Sequence, residues 1–346
     1  FFDSEGHMVS GWVDYENDTY YCGTENEGWA YTGWQYLEPD DDLNSSDYDD
    51  QEWFNFKSSG KARKNATWYS KGRYYTFDDN GVMTSDWYDL AVASNTNGVA
   101  TGTNGGENAY TSEDGSKGTG WVYTENAAET DSYWYYLVSF KDANGIVRNI
   151  PFNSQSGDDM MRAKVIKGKT YIFNADGTME DGRVILTNKN NNGVSDYKGG
   201  AVSKAMTNGT YYFNENSGSV NDQMVTGKTT VTKDGEDFYY YFDKTTGRAV
   251  TDVVKDGIIY GHDGERIDAE YGNTNAIVTL DYPVAYSKSE VDVVIDGKTV
   301  KGIPAGTNNE IIVSATGKLK TSGTVKVDGV RYKIHSEYWT LERLDD

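Results

Sequence analysis

The chain has a single cysteine, Cys22, among 346 residues. One cysteine excludes an internal disulfide framework. Its setting, Tyr20-Tyr21-Cys22, reads as a strand in which a small buried hydrophobe is expected rather than a reactive thiol. No apolar stretch approaches the length of a membrane-spanning helix, so no membrane partner is expected. There are only three histidines, His7, His262 and His335, and none has the spacing of a metal or catalytic pair. No Gly-x-Ser-x-Gly elbow, phosphate loop or zinc signature occurs. Positive charge is also short. Lys and Arg total 32 against 54 Asp and Glu, a net charge of −22. Such a chain repels nucleic acid and bare anionic polymers, and remains compatible with neutral sugars or a cationic group. With 54 carboxylates, some pair will stand at a glycosidase-like separation, and the sequence singles out none. No catalytic residue, cofactor or metal is expected. Proline is scarce, at 4 residues, while glycine is frequent, at 38, which suits tight turns between short strands.

Aromatics take the place of the missing aliphatics. They make up 14% of residues, with 28 Tyr and 9 Trp, although hydrophobics overall are only 37%. They recur in a phrase: aromatic–aromatic–Phe, two or three polar residues, Gly, one residue, an apolar residue, then Thr or Ser, Gly or Asp, and often Trp. Tyr74 to Trp87 is one copy, and others begin at Phe1, Tyr20, Trp53, Tyr171, Tyr211 and Tyr239. The aromatic run alternates with period two, as a strand does. The polar-Gly segment fits a tight turn. Met8, Met83 and Met179 are placed to start a returning strand, so each copy reads as a β-hairpin. A unit of about 20 to 35 residues cannot bury a face alone, and copies must stack.

The expected fold is therefore all-β: a hairpin solenoid over residues 1–270, followed by a small all-β domain over 273–346. The phrase ends near Ile267. Beyond it the texture becomes β-branched, as in Val291-Asp292-Val293-Val294-Ile295, with hairpin turns expected at Asp296-Gly297 and Asp328-Gly329. The C-terminal segment is expected to cap the array. Glu38–Gln51, Leu90–Glu107 and Asn188–Asn192 read as inserted surface loops, and the acidic Asp40–Asp50 run offers clustered oxygens to calcium without the spacing of a calcium loop. The chain opens at Phe1 in the middle of a phrase, which leads us to expect a trimmed or mature fragment.

Phe2-Asp3-Ser4-Glu5-Gly6-His7-Met8-Val9-Ser10-Gly11-Trp12 and Trp134-Tyr135-Tyr136-Leu137 resemble the cell-wall-binding, or choline-binding, repeats of Gram-positive surface proteins. Similar repeats occur in glucan-binding regions of glucosyltransferases and in clostridial toxins. The resemblance covers roughly residues 1–267. It implies an aromatic cage between successive hairpins. By that match Trp12, Trp34, Trp87 and Trp121 hold the Gly-Trp or Asp-Trp position, and Trp53, Trp134 and Tyr74 the strand position. Indole faces attract a quaternary ammonium and equally suit the C–H face of a sugar. Asp181-Gly182-Arg183, Thr226-Gly227-Lys228 and Thr251-Asp252-Val253 lack the Trp, so sites are expected before about residue 140. The resemblance implies a non-catalytic extracellular module that binds choline-bearing teichoic acid or glucan through several weak sites. A stalk or adhesin segment whose aromatics are all core is the alternative, as is the binding region of a wall hydrolase catalytic elsewhere.

Overall fold

The computed structural model describes residues 1–40, 50–89, 108–112, 114–116, 118–126, 130–141, 147–153, 160–191, 204–215, 222–269 and 272–344. The acidic run after Asp40 and the segment Leu90–Glu107 lie almost wholly outside them. Among the described residues the secondary structure is all strand and turn, with no helix.

Local chemistry sets the hairpins. Two-residue turns with positive φ at both positions join strands at Glu16-Asn17, Lys71-Gly72, Lys167-Gly168, Asp234-Gly235 and Asp256-Gly257. The same turn occurs at Asp296-Gly297 and Asp328-Gly329, where the sequence predicts hairpins. This is the type I′ turn, whose twist matches that of the strands it connects. Trp12–Tyr15 thus pairs with Asp18–Tyr21, Ala66–Ser70 with Arg73–Phe77, and Arg162–Ile166 with Lys169–Phe173. Longer connections join Gly33–Leu37 to Glu52–Phe56 and Gly120–Glu125 to Ser132–Lys141.

The hairpin frame differs from the one expected. The phrase places the hairpin turn at its own glycine, yet that turn closes little more than one bridge: Phe2 to Met8, Phe77 to Met83, Phe213 to Met224, Phe242 to Ala249. The turn is wound on its first polar residue. The Asp78 N–H donates to the Val82 carbonyl, and the Asp78 carboxylate accepts from the N–H groups of Asn80 and Val82. A loop held this way delivers one apolar residue back to the core and then turns again. The long hairpin instead joins the strand that begins at the second glycine or Trp to the aromatic strand of the next phrase.

Stacking adds a second constraint. The turn glycine rests on the post-glycine residue of an earlier turn. At Gly115, with φ +69°, a Cβ would collide with the Met83 sulfur, and at Gly247, with φ +74°, with that of Met224. Glycine is required there both for its backbone conformation and for its lack of a side chain.

Two compact units result. The first comprises Phe1–Glu180 with Lys189–Ala205, and the second contains Asp181–Asn188 and most of the chain from Met206 onward. The first has cores around Phe54 and Phe56 and around Ile150, Phe152 and Phe173. The second has cores around Tyr240 and Phe242 and around Ile259, Ile311 and Trp339. This division does not coincide with the one expected at residues 270–273. Val253–Lys255 pairs in parallel with Val284–Ala285, inside a five-stranded sheet that also holds Lys298–Ile303 and Asp292–Ile295. The repeat's turn also recurs beyond Ile267. Ser314 N–H donates to the Lys318 carbonyl, Gly317 N–H to the Ser314 carbonyl, and Val313 pairs with Leu319 as Phe173 does with Met179. The turn persists there although aliphatics have replaced the rings.

Candidate functional site

Strand register brings the expected aromatics together in two places of the first unit. In Gly33–Leu37, period two puts Trp34 and Tyr36 on one face, and Tyr36 stands opposite Trp53. Trp34 and Trp53 meet nearly at right angles, centroids 6.3 Å apart and planes at 83°, and Tyr36 lies 5.0 Å from Trp53. From the next hairpin, Tyr75 packs 4.8 Å from Trp34. The arrangement repeats at Gly120–Glu125. Trp121 and Trp134 stand 6.1 Å apart at 89°, Tyr123 lies 5.3 Å from Trp134, and Tyr171 of the next hairpin is 4.8 Å from Trp121. Each corner thus has two perpendicular indoles, a tyrosine beside the outer one and a tyrosine from the following hairpin. The rims are open at Tyr36 (49% exposed), Trp53 (44%) and Tyr123 (52%), whereas Trp134 is half-buried with its ring N–H enclosed and without a partner.

The other expected residues do not form such corners. Trp12 packs on Tyr21 and on Phe54 of the next hairpin, 5.2 and 4.8 Å away, but Asp14 and Thr19 hold the places of Tyr36 and Trp53. Trp87 likewise packs on Tyr110 and Tyr135, both at 5.0 Å, and the register gives it Asp89 and Asn108. Both indoles are tied to the next hairpin by their N–H, which donates to the Glu38 carbonyl from Trp12 at 3.0 Å and to the Glu125 carbonyl from Trp87 at 2.6 Å. Burial behind Trp87 pushes the Tyr135 hydroxyl well above its ordinary pKa, with the Asp176 carboxylate adding to the rise. Tyr74 does hold the register place of Trp53, opposite Tyr69 at a centroid distance of 4.9 Å, but Thr67 stands where the corner needs its Trp.

Cations come with both corners. The Arg63 guanidinium lies 3.4 Å over the ring of Trp68, whose strand partner is Tyr75, and its Nε donates to Asn55 Oδ1 at 2.7 Å, opposite Trp34. At the second corner, Lys164 is the strand partner of Tyr171. Its Nζ lies 5.9 Å from the ring of Tyr136, the strand partner of Trp121, and 4.9 Å from that of Phe152. Burial lowers the pKa of both groups.

Sequence reasoning singled out the indoles and missed Tyr36, Tyr123, Tyr75, Tyr171, Arg63 and Lys164. A signal for the first two was present. Of Trp12, Trp34, Trp87 and Trp121, only Trp34 and Trp121 are followed two places on by a Tyr, Tyr36 and Tyr123, on the same strand face. In the copies without Trp, the register puts Arg183 opposite Tyr212, Lys228 opposite Tyr241 and Val253 opposite Tyr260. Among the described residues no group of three or more His, Cys, Asp or Glu is placed to hold a metal ion.

No protein-family model matches the chain, and no curated protein does. Solved structures similar to it include CbpJ from Streptococcus pneumoniae TIGR4, at 18% identity over 75% of this chain and 94% of that one, with a TM-score of 0.29. Choline binding protein F from the same species, in the presence of a peptidoglycan analogue, is 19% identical over 75% of this chain and 92% of its own, with a TM-score of 0.26. The modular autolysin LytC of that species is 16% identical over 98% of this chain, with a TM-score of 0.39, and the match spans 53% of the autolysin. Choline binding protein F carries in its name the group that the repeat phrase resembles.

Proposed function

We propose that this chain is a non-catalytic, extracellular, wall-associated module that binds cell-wall polymer at the Trp34–Trp53 and Trp121–Trp134 corners. The observation that carries the reading is the duplication. Two distant stretches of chain build the same open four-ring arrangement, although a hairpin core needs only the inner indole. Trp12 and Trp87 serve packing alone in this reading, because their registers supply neither the second Tyr nor the outer Trp of a corner. Aromatic faces accept either a quaternary ammonium or the C–H face of a pyranose, at about 0.5 to 2 kcal/mol per cationic contact. Arg63 and Lys164 favour the sugar. A fixed positive charge beside an aromatic slot opposes a second cation and leaves a neutral ring unaffected. Two linked weak sites then raise avidity on a polymer by roughly 100-fold.

Intrinsic tryptophan fluorescence titrated with choline, with short α-glucans and with teichoic-acid and peptidoglycan fractions tests the reading. Quenching by a sugar polymer, with single-site affinity near millimolar and loss on Trp53→Ala/Trp134→Ala, is expected. Unchanged emission together with no retention on any wall fraction rules it out and leaves a structural stalk. Turnover of peptidoglycan by this chain would remove the non-catalytic part.

A further inference from the structure

A second site of different chemistry lies within the second unit. A cleft of about 380 Å³ is lined by Asp252, His262, Asp263, Asp281 and Tyr282 above an apolar floor that includes Ile267. That volume falls in the usual range for a small-ligand pocket. The rings of His262 and Tyr282 stack nearly parallel, centroids 4.1 Å apart and planes at 16°, and form a plate at its wall. Both are open to solvent: the His262 side chain is 59% exposed and Tyr282 51%. Beneath the plate, Asp252 is 8% exposed. Its Oδ2 is 2.8 Å from His262 Nδ1, while its Oδ1 is buried with no hydrogen-bond partner.

By register Val253 takes the place of Gly182 and Gly227 opposite the ring that ends the aromatic strand, and Asp252 precedes it as Asn65, at φ +44°, precedes Ala66. Here a carboxylate occupies the same left-handed position and is buried with one oxygen unsatisfied. An orphaned buried acceptor is expensive. A ligand that donates an N–H or O–H bond would remove that penalty.

We infer that this cleft binds an amine-bearing sugar ring. The His262–Tyr282 plate offers a flat face to the ring's C–H bonds, and Asp252 offers a buried acceptor to its amine or hydroxyl. Asp263 and Asp281 add negative charge that favours a protonated amine. A quaternary ammonium has no proton to give to Asp252 Oδ1, so choline is the wrong ligand for this site. The inference does not depend on the aromatic corners of the first unit.

The test is calorimetric titration of the whole chain with glucosamine tetramer, then with its fully N-acetylated counterpart and with choline. Binding of one glucosamine tetramer per chain is expected, weakened at least tenfold by Tyr282→Ala and by Asp252→Gly, and unaffected by choline or by Trp53→Ala/Trp134→Ala. The Asp252→Gly variant puts the most permissive residue at a positive φ, so its fold should survive, and circular dichroism verifies that. Absence of heat with the folded chain overturns the inference. So does binding that Tyr282→Ala and Asp252→Gly leave unchanged, or binding that is lost with the tryptophan pair instead. Equal affinity for the N-acetylated tetramer would overturn the role given to the protonated amine.

Discussion

In the first unit the tyrosine and phenylalanine faces that project from one hairpin are met by indoles of the previous one. In the second unit they are met by the chain's own cations. Arg183, at the position of Trp34 and Trp121, points its guanidinium at Tyr240 from 5.9 Å, Lys255 lies 5.4 Å from the ring of Tyr241, and Arg266 lies 3.7 Å from that of Tyr239. The hairpin backbone is the same in both. A Trp fills the slot with apolar area and leaves a polarisable face at the rim, whereas an Arg or Lys satisfies the ring quadrupole internally and leaves nothing for a cationic ligand. One scaffold is thereby divided into copies that present rings outward and copies whose rings are already engaged. The first unit contains the same device where it lacks the Trp: Thr67 takes the Trp position, and Arg63 covers Trp68 in that hairpin.

The largest effect should come from what the two regions share. Phe173 and Phe242 are both almost fully buried at the end of their aromatic strands. Phe173→Ala and Phe242→Ala should each cost about 3 to 5 kcal/mol in denaturant unfolding. A clearly smaller loss at Phe242 would mean that the cation-filled copies hold together by another route, and the shared-core premise would fall. Next comes the residue that differs. Trp121 contacts Trp134, Tyr136, Tyr171 and Phe173. Its replacement by Ala should cost about 2 to 3 kcal/mol, against under about 1 kcal/mol for Arg183→Ala, since a cation–π contact near the surface contributes little more. Equal costs would dissolve the contrast. The outer ring of the corner sharpens it further. Trp53→Ala should change stability by less than about 1 kcal/mol and weaken sugar binding by about 2- to 30-fold, the range one aromatic contact supplies. If stability and binding fall together, Trp53 is core rather than rim.

Much of this was legible from residue types. The period-two aromatic runs and the Asp-Gly pairs specify strands and turns locally, and Asp296-Gly297 and Asp328-Gly329 turn as their chemistry requires. The hairpin frame was not legible, because a Gly-centred turn and a type I′ turn both lie between apolar runs. Only hydrogen bonding from Asp78 distinguishes a loop that closes a single bridge from one that launches a strand. The repeat's persistence past Ile267 was hidden for a related reason. Val313 fills the place of a ring with an aliphatic, Leu319 that of Met179, and the turn at Ser314–Gly317 carries no aromatic marker. At the site, the inner indoles follow from the phrase itself. Tyr75 and Tyr171 depend on which hairpin packs next, and Arg63 and Lys164 on contacts between hairpins, which a single sequence does not specify.

The smallest expected effect concerns the turn that both units use. Asp3 in the first and Asp243 in the second each wind the phrase loop by accepting backbone N–H bonds, from His7 and Glu5 in one case and from Thr246 and Thr245 in the other. Those bonds, led by His7 N–H at Asp3 and by Thr246 N–H at Asp243, hold both carboxyls below the usual carboxylate pKa. A folded pKa below the unfolded one means that the stabilisation is complete above the unfolded value, about 3.9. It is lost as pH falls through the folded value. Carboxyl-detected NMR titration should therefore show both residues depressed, and the stability of each unit should decline slightly as pH falls below about 4. Asp243→Asn keeps an acceptor oxygen while removing the charge, so it should flatten that residue's part of the decline and leave the turn intact. An ordinary pKa at Asp243 beside a depressed one at Asp3 would mean that the loop is held differently where the rings give way to cations, and the two regions would then differ in their turns as well as in what fills their slots.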